Sequence, residues 1–131
     1  MKQPVYRQDA PPPVGPYAPA VRVGPWLFTS GQIALDPQTG RLVEGDIRAQ
    51  TRQVLENLRA LLEAAGGSLA DVVKTTCYLT DLGEFAAFNE VYATFFPTNP
   101  PARSTVQAAR LPLGALVEID AVAYLPGGHT A

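Results

Sequence analysis

The run DIRAQTRQVLENLRALLEAAGG, residues 46–67, reads as one amphipathic helix with both ends marked. Asp46 is placed to cap its first turn, and Gly66-Gly67 follow its last. Ile47, Val54, Leu58, Leu61, Leu62 and Ala65 recur at spacings of three, four and seven, so they share one face. Arg48, Arg52 and Arg59 gather elsewhere on the wheel beside Glu56 and Glu63, which predicts i,i+4 pairs Arg52–Glu56 and Arg59–Glu63. An all-basic face would suit phosphate binding, whereas this mixed one reads as a solvated face.

On its N-terminal side, Pro11-Pro12-Pro13, Pro16, Pro19 and Pro25 forbid helix, because each proline lacks an N–H and crowds the preceding turn. The stretch reads as an extended arm leading into short strands near 18–23 and 25–30, the second carrying Trp26, Leu27 and Phe28. Asp36-Pro37-Gln38-Thr39-Gly40 is a turn cluster. On the C-terminal side, Ser68–Asp71 resembles a capped turn and Val72–Leu79 is rich in strand formers. Asp81 to Phe96 predicts a second helix, with Asp81 and Glu84 as a capping box and Leu82, Phe85, Phe88, Tyr92 and Phe95 as its apolar stripe. Pro97 to Pro101 ends it in a stiff loop. Arg103–Ala109 and Leu116–Tyr124 read as the last strands, joined by a turn at Pro112-Leu113-Gly114. The order β-β-α-β-α-β-β predicts a single α+β domain, core about 13–125, with both helices on one face of a mixed sheet. The other sheet face then needs cover, which proteins of this size often find by oligomerising.

The 131 residues suffice for an independent core burying roughly two-thirds of the unfolded surface. One cysteine excludes an intramolecular disulfide framework, and one histidine restricts any triad or His-based zinc site to His129. A net charge of −2 gives no global attraction to nucleic acid or anionic membrane. The first residues hold no apolar signal core, and the uncharged run Val23–Leu35 is too short and too broken to span a bilayer. A cytoplasmic protein is expected, and the free thiol suits that compartment. Phosphate-binding loops, dinucleotide fingerprints, HExxH and CxxC are all missing from the sequence, so neither metal nor cofactor is expected. His129 lies in a Gly-rich tail expected to be loose. Cys77, between Thr76 and Tyr78, reads as a buried small hydrophobe.

Two residues invite chemistry. Arg103 opens a strand just after Pro100-Pro101, and a guanidinium held in one pose can bind a carboxylate through two N–H bonds. A surface arginine paired with a neighbouring acid fits the same residues. Glu118 sits between Val117 and Ile119 and so points to the opposite face from them. Buried, it would hold its proton more tightly and serve as a general base toward water; solvated, it is polar alternation with Asp120 as its same-face partner. Tyr17, in Gly15-Pro16-Tyr17, and Ser30, in Thr29-Ser30-Gly31-Gln32, are polar groups at loop and strand ends.

Pro101-Ala102-Arg103-Ser104, Val106, Arg110-Leu111-Pro112 and Val117-Glu118-Ile119 together resemble the C-terminal signature of the RidA/YjgF family, the reactive-intermediate imine deaminases. Gly15-Pro16-Tyr17, Thr29-Ser30-Gly31-Gln32-Ile33, Asp36-Pro37 with Thr39-Gly40, and Phe88-Asn89 resemble further family segments, so the likeness spans about 13–124. It implies a chorismate-mutase-like (YjgF-like) fold, a homotrimer and a cleft at each subunit boundary. It implies hydrolysis of 2-imino acids, formed from 2-aminoacrylate by pyridoxal-phosphate enzymes, to 2-keto acids and ammonia. By the same resemblance Arg103 holds the substrate carboxylate and Glu118 orients or activates water. Tyr17 closes the pocket from the neighbouring subunit, Ser30, Gly31 and Asn89 line or support it, and the backbone at Thr105 meets the imine nitrogen. Many relatives carry cysteine where this chain has Thr105, which removes sensitivity to thiol modification there and bears on which imines fit. Some relatives lack the arginine and are inactive on imines. Two other roles remain on the sequence: a non-catalytic trimer that binds small carboxylates or other proteins, and the ribonuclease or translation-inhibitor role attached to parts of the family. The acidic balance and mixed-charge helix argue against the latter.

Overall fold

The computed structural model describes residues 1–126; His129 lies outside them. The first helix, α1, runs Ile47–Ala64. Its ends form as the local sequence dictates. Asp46 accepts the Ala49 N–H at 3.1 Å. Gly66 adopts φ +87°, and the N–H groups of Gly66 and Gly67 reach back to the carbonyls of Glu63 (3.0 Å) and Leu62 (2.9 Å), the bond pair that closes a helix through a left-handed residue. All six apolar-face residues named above are buried. The expected intrahelical ion pairs do not form. Arg59 pairs with Glu56 at 2.7 Å, one turn back, while Arg48 reaches across to Glu90 on the second helix.

Six strands form one mixed sheet in the order β1-β2-β3-β6-β4-β5. They are β1 Gln3–Val5, β2 Ala20–Val23, β3 Trp26–Thr29, β4 Val72–Leu79, β5 Ala102–Gln107 and β6 Val117–Tyr124. The extended arm therefore contains an unforeseen strand: β1 pairs antiparallel with β2 at the sheet edge, where Pro4 is tolerated. The second helix, α2, covers only Phe85–Phe95. Before it comes a 3-10 turn, Leu82–Glu84, in which Asp81 accepts the Gly83 N–H at 2.8 Å in place of the expected capping box. Within the predicted stripe, Phe88 and Tyr92 are buried, whereas Leu82 and Phe85 remain exposed at the start of the helix.

β4, α2 and β5 form a parallel crossover, and every other strand pair is antiparallel. β5 and β6, successive in the chain, are not neighbours, because β4 lies between them. Side-chain parity then sorts the residues. Leu27, Thr75, Cys77, Leu79, Val117, Ile119, Ala121 and Ala123 point toward the helices and are buried. Burial pushes the Cys77 thiol up to about 11, so it is an inert core residue. The opposite face is uncovered in the single chain: Val23, Trp26, Phe28, Val106 and Tyr124 there are 41–47% exposed. This is the face that the sequence pattern left in need of cover.

Candidate functional site

Arg103 and Glu118 lie on opposite faces of the sheet. Arg103 is the register partner of Thr75, whose side chain faces α2 and meets the Tyr92 hydroxyl at 2.7 Å. The guanidinium lies over the rings of Tyr92 (4.7 Å to the centroid), Phe85 (5.3 Å) and Phe88 (5.5 Å). These aromatics hold a half-buried cation without neutralising it. Among the described residues Arg103 makes no ion pair, which removes the alternative of a surface arginine matched to a nearby acid. Its guanidinium donors remain available to an anion.

Two unpartnered acceptors share its neighbourhood. Asn89 lies on the same face of α2 as Phe85, Phe88 and Tyr92, and Thr105 lies two residues beyond Arg103 on the same face of β5. Asn89 Oδ1 and Thr105 Oγ1 are both buried with no hydrogen-bond partner. Natural folds seldom leave such atoms unpaired away from a site of use. β5 is also an edge strand. The Ala108 N–H donates to Leu79 at 2.8 Å, so by the alternation of a parallel ladder the N–H and C=O of Arg103, Thr105 and Gln107 turn outward to the free edge.

Glu118 belongs to a second cluster. Between the pairs Phe28↔Val122 and Gln32↔Ile119, residues 29–31 face only 120 and 121, so this side carries one extra residue, a bulge. The Thr29 hydroxyl stands in for the missing ladder acceptor, taking the Ala121 N–H at 3.0 Å. Beyond the bulge, Gln32 and Ile119 exchange backbone bonds of 2.8 and 3.0 Å. This seats Gly31 directly on the Glu118 side chain. A Cβ at position 31 would overlap the carboxylate, so only glycine leaves it room. Burial, reinforced by the charge of Asp120, raises the Glu118 carboxyl above its ordinary value.

Glu118, Gly31, Ser30 and Tyr17 line one open cavity of about 880 Å³, with Pro11–Val14, Pro112 and Leu113 among its walls. Tyr17 is 52% exposed, at the end of a tight turn in which its N–H bonds the Gly15 carbonyl. Ser30 donates its hydroxyl to the Ala18 carbonyl at 2.7 Å, so it braces the arm. The seven residues expected at a site thus form two groups: Tyr17, Ser30, Gly31 and Glu118 in one, Asn89, Arg103 and Thr105 in the other. β4 separates them, and two strand spacings amount to about 10 Å.

Supports not anticipated from the sequence also emerge. Asn57, buried on the apolar face of α1, donates to the carbonyls of Ile33 (3.2 Å) and Leu35 (2.9 Å) and so holds the segment after Gly31. Arg7 donates to Asn57 Oδ1 at 3.1 Å and ties down the N-terminal arm. The readable signal was an asparagine between Val54 and Leu61 on an otherwise apolar stripe. Among the described residues no cluster of three or more His, Cys, Asp or Glu suits a metal ion, and no helix is long and apolar enough to cross a membrane.

The fold is thus a one-sided α+β sheet, with an arginine that makes no ion pair among the described residues at its edge and a glycine-seated glutamate on its open face. Residues 7–125 match the family model described as Endoribonuclease L-PSP. The chain belongs to that family, the RidA/YjgF family whose motifs it carries. It is 54% identical to a RutC family protein of Pyrococcus horikoshii, over 95% of this chain and 98% of that one. It is 44% identical to the chloroplastic Reactive Intermediate Deaminase A of Arabidopsis thaliana, over 95% of this chain and 66% of that protein, so the family includes reactive intermediate deaminases. The crystal structure of E. coli TdcF with bound serine superimposes with a TM-score of 0.88 at 45% identity, covering 93% of this chain and 98% of that one.

Proposed function

We propose that this protein hydrolyses 2-imino acids to 2-keto acids and ammonia, at clefts where the Arg103 group of one subunit meets the Glu118 group of the next in a homotrimer. The observation that carries the reading is the unpaired, half-buried Arg103 guanidinium with unpartnered acceptors beside it. A small substrate carboxylate satisfies such a cation with two parallel N–H bonds. Serine bound to the TdcF relative is a molecule of that chemistry. The uncovered apolar sheet face supports the assembly, and so does the separation of the two groups within one chain.

The chemistry follows from the parts. An imine carbon is already electrophilic, so binding, orientation and one proton-transfer group suffice. Arg103 fixes the carboxylate, and the outward Thr105 carbonyl accepts the imine N–H. Glu118 takes a proton from water as the water oxygen bonds to C2, and the C=N π electrons move to nitrogen. The nitrogen takes up that proton, giving a carbinolamine. Glu118 then removes the hydroxyl proton and passes it to nitrogen as the C2=O bond forms and the C–N bond breaks, and ammonia leaves the 2-keto acid. A carboxylate of raised basicity suits these transfers.

The test couples purified protein to an amino-acid oxidase and follows imine decay. The native chain accelerates decay, and Arg103→Ala loses about 2–4 kcal/mol of transition-state stabilisation. No acceleration by the native chain, or undiminished acceleration by Arg103→Ala, overturns the reading. Binding of a 2-keto acid in calorimetry without turnover assigns the cleft to a non-catalytic binder. Steeply salt-dependent RNA binding revives the nuclease role, against which the arginines Arg7, Arg48 and Arg59 are all matched to acids.

A further inference from the structure

Glu118 has a second carboxylate beside it. Asp120 projects from the same face of β6 two residues along, about 7 Å away. Across the ladder, Tyr78 is the register partner of Glu118 and Thr76 that of Asp120, with Lys74 one step further, opposite Val122. On the other flank, Phe28 and residues 29–32 bring no ionisable group to this face. Beyond β4, Ser104 and Val106 of β5 bring none either. The cavity wall contributes Tyr6 and Tyr17, with Asp36 and Arg7 further along, and Arg7 is already bound by Asp9 at 2.9 Å. In the proposed cleft, the Arg103 charge is met by the substrate carboxylate. Asp120 is then the charged group that acts on Glu118 within the chain.

We propose that Asp120 is a positioning residue for the hydrolysis: its charge, set beside Glu118 on the sheet face that partner subunits cover, makes the Glu118 carboxylate a stronger base toward water. The proposal rests on the imine-hydrolysis reading above. Both carboxyls are shifted upward, each chiefly by burial. For Glu118 the next cause is Asp120, whereas for Asp120 the Tyr78 hydroxyl and Lys74 pull the other way. The pair therefore divides its roles: Lys74 and Tyr78 help keep Asp120 ionised, and its charge makes Glu118 hold a proton more tightly. A carboxylate of ordinary basicity is a poor acceptor for a water proton, and each increment of basicity speeds the transfer. Two like-charged carboxyls one pleat repeat apart supply that increment. Covering the face strengthens the coupling, since displacing water lowers the local dielectric.

The test titrates Glu118 directly. Chains carrying ¹³C-labelled glutamate carboxyls are followed by NMR from pH 3 to 9, with Glu118→Gln identifying the resonance. Asp120→Asn lowers the Glu118 midpoint by about half a pH unit, the effect of one charge at about 7 Å through mostly aqueous surroundings. The acid limb of kcat/KM moves to lower pH by the same amount, and kcat at neutral pH falls about two- to threefold with KM little changed. Asp120→Glu, which keeps the charge, restores both. An unmoved or raised midpoint in Asp120→Asn overturns the proposal and leaves the hydrolysis reading standing. A native chain that hydrolyses no imine overturns that reading and the positioning role of Asp120 with it, while a lowered midpoint then records charge coupling alone.

Discussion

Gly31→Ala separates the positioning of Glu118 from the stability of the fold. A Cβ built on Gly31 lies 2.7 Å from Glu118 Cδ and 3.0 Å from its Cγ, and overlaps one carboxylate oxygen. One partner must move. The Gly31 segment is held by the paired backbone bonds between Gln32 and Ile119, at 2.8 and 3.0 Å. The glutamate side chain is flexible, so it yields, and normal contact requires a displacement of about 1 Å or more. Misplacing a catalytic group by that much costs about 100-fold in rate. The backbone at position 31 needs no positive φ, so alanine fits the chain itself. Its smaller unfolded-state entropy contributes about 0.4–1 kcal/mol, which offsets part of the local crowding. The variant therefore melts within a few degrees of the native protein while kcat/KM for imine hydrolysis falls about two orders of magnitude. The decisive comparison is a cycle with Glu118→Gln. If Gly31 acts through Glu118, the double variant is no slower than Glu118→Gln alone. Full activity in Gly31→Ala refutes the positioning argument. If Gly31→Ala slows the Glu118→Gln variant by the same factor as it slows the native protein, Gly31 acts by another route.

Arg103→Lys keeps the cation and loses the planar fork, so KM for a 2-imino acid rises about tenfold or more in steady-state assays while thermal stability is retained. Thr75→Val strands the buried Tyr92 hydroxyl, which it now meets at 2.7 Å, and lowers the unfolding free energy by about 1–3 kcal/mol in urea titrations. Trp26→Glu with Phe28→Glu places two charges on the uncovered face, and light scattering reports the mass of a single chain where the native protein gives three. Glu118→Gln tests linkage. Folding raises this carboxyl above its ordinary 4.5, so its contribution to stability is fully present below that pH and is lost as pH rises through the folded value. Melting temperatures of Glu118→Gln and native protein accordingly coincide near pH 4, and the variant is the more stable by up to a few degrees at pH 8.

What the sequence made legible was local. Helix α1 is bounded by signals within its own turns: a capping aspartate before it and two glycines after it. The parity of Glu118 against Val117 and Ile119 also survives folding, because strand alternation is a short-range rule. β1 was missed because three residues around a proline carry no periodicity, and only the distant β2 gives them a partner. The ion pairs of α1 were misassigned because Arg59 turns back to Glu56, a choice that spacing alone does not fix, and the link from Arg48 to Glu90, 42 residues away on the other helix, leaves no local trace. The division of the site was hidden for the same reason. Nothing in the order of the chain says that β6 inserts between β3 and β4 and leaves β5 at the edge. That single non-local choice sets β4 between Arg103 and Glu118 and turns the Thr105 backbone outward to a free edge.

The same choice explains where the fold breaks its own rules. Among the described residues three buried side-chain oxygens have no partner, and two of them, on Asn89 and Thr105, border Arg103; nothing in the structure accounts for the third, on Thr51. A cation stacked on aromatics with no counter-ion, acceptors without donors and a glycine pressed against a carboxylate each lower the stability of the isolated chain. Scattered over a surface, such features would read as noise. Here they fall into two groups, each supplying what the other lacks: a cation and unpartnered acceptors in one, a proton-accepting carboxylate in the other. A single chain cannot join them across β4, and the interface cleft proposed above, with a small carboxylate in it, is the arrangement that would relieve the conflict. Selection for the monomer alone would have filled position 31 and paired Arg103.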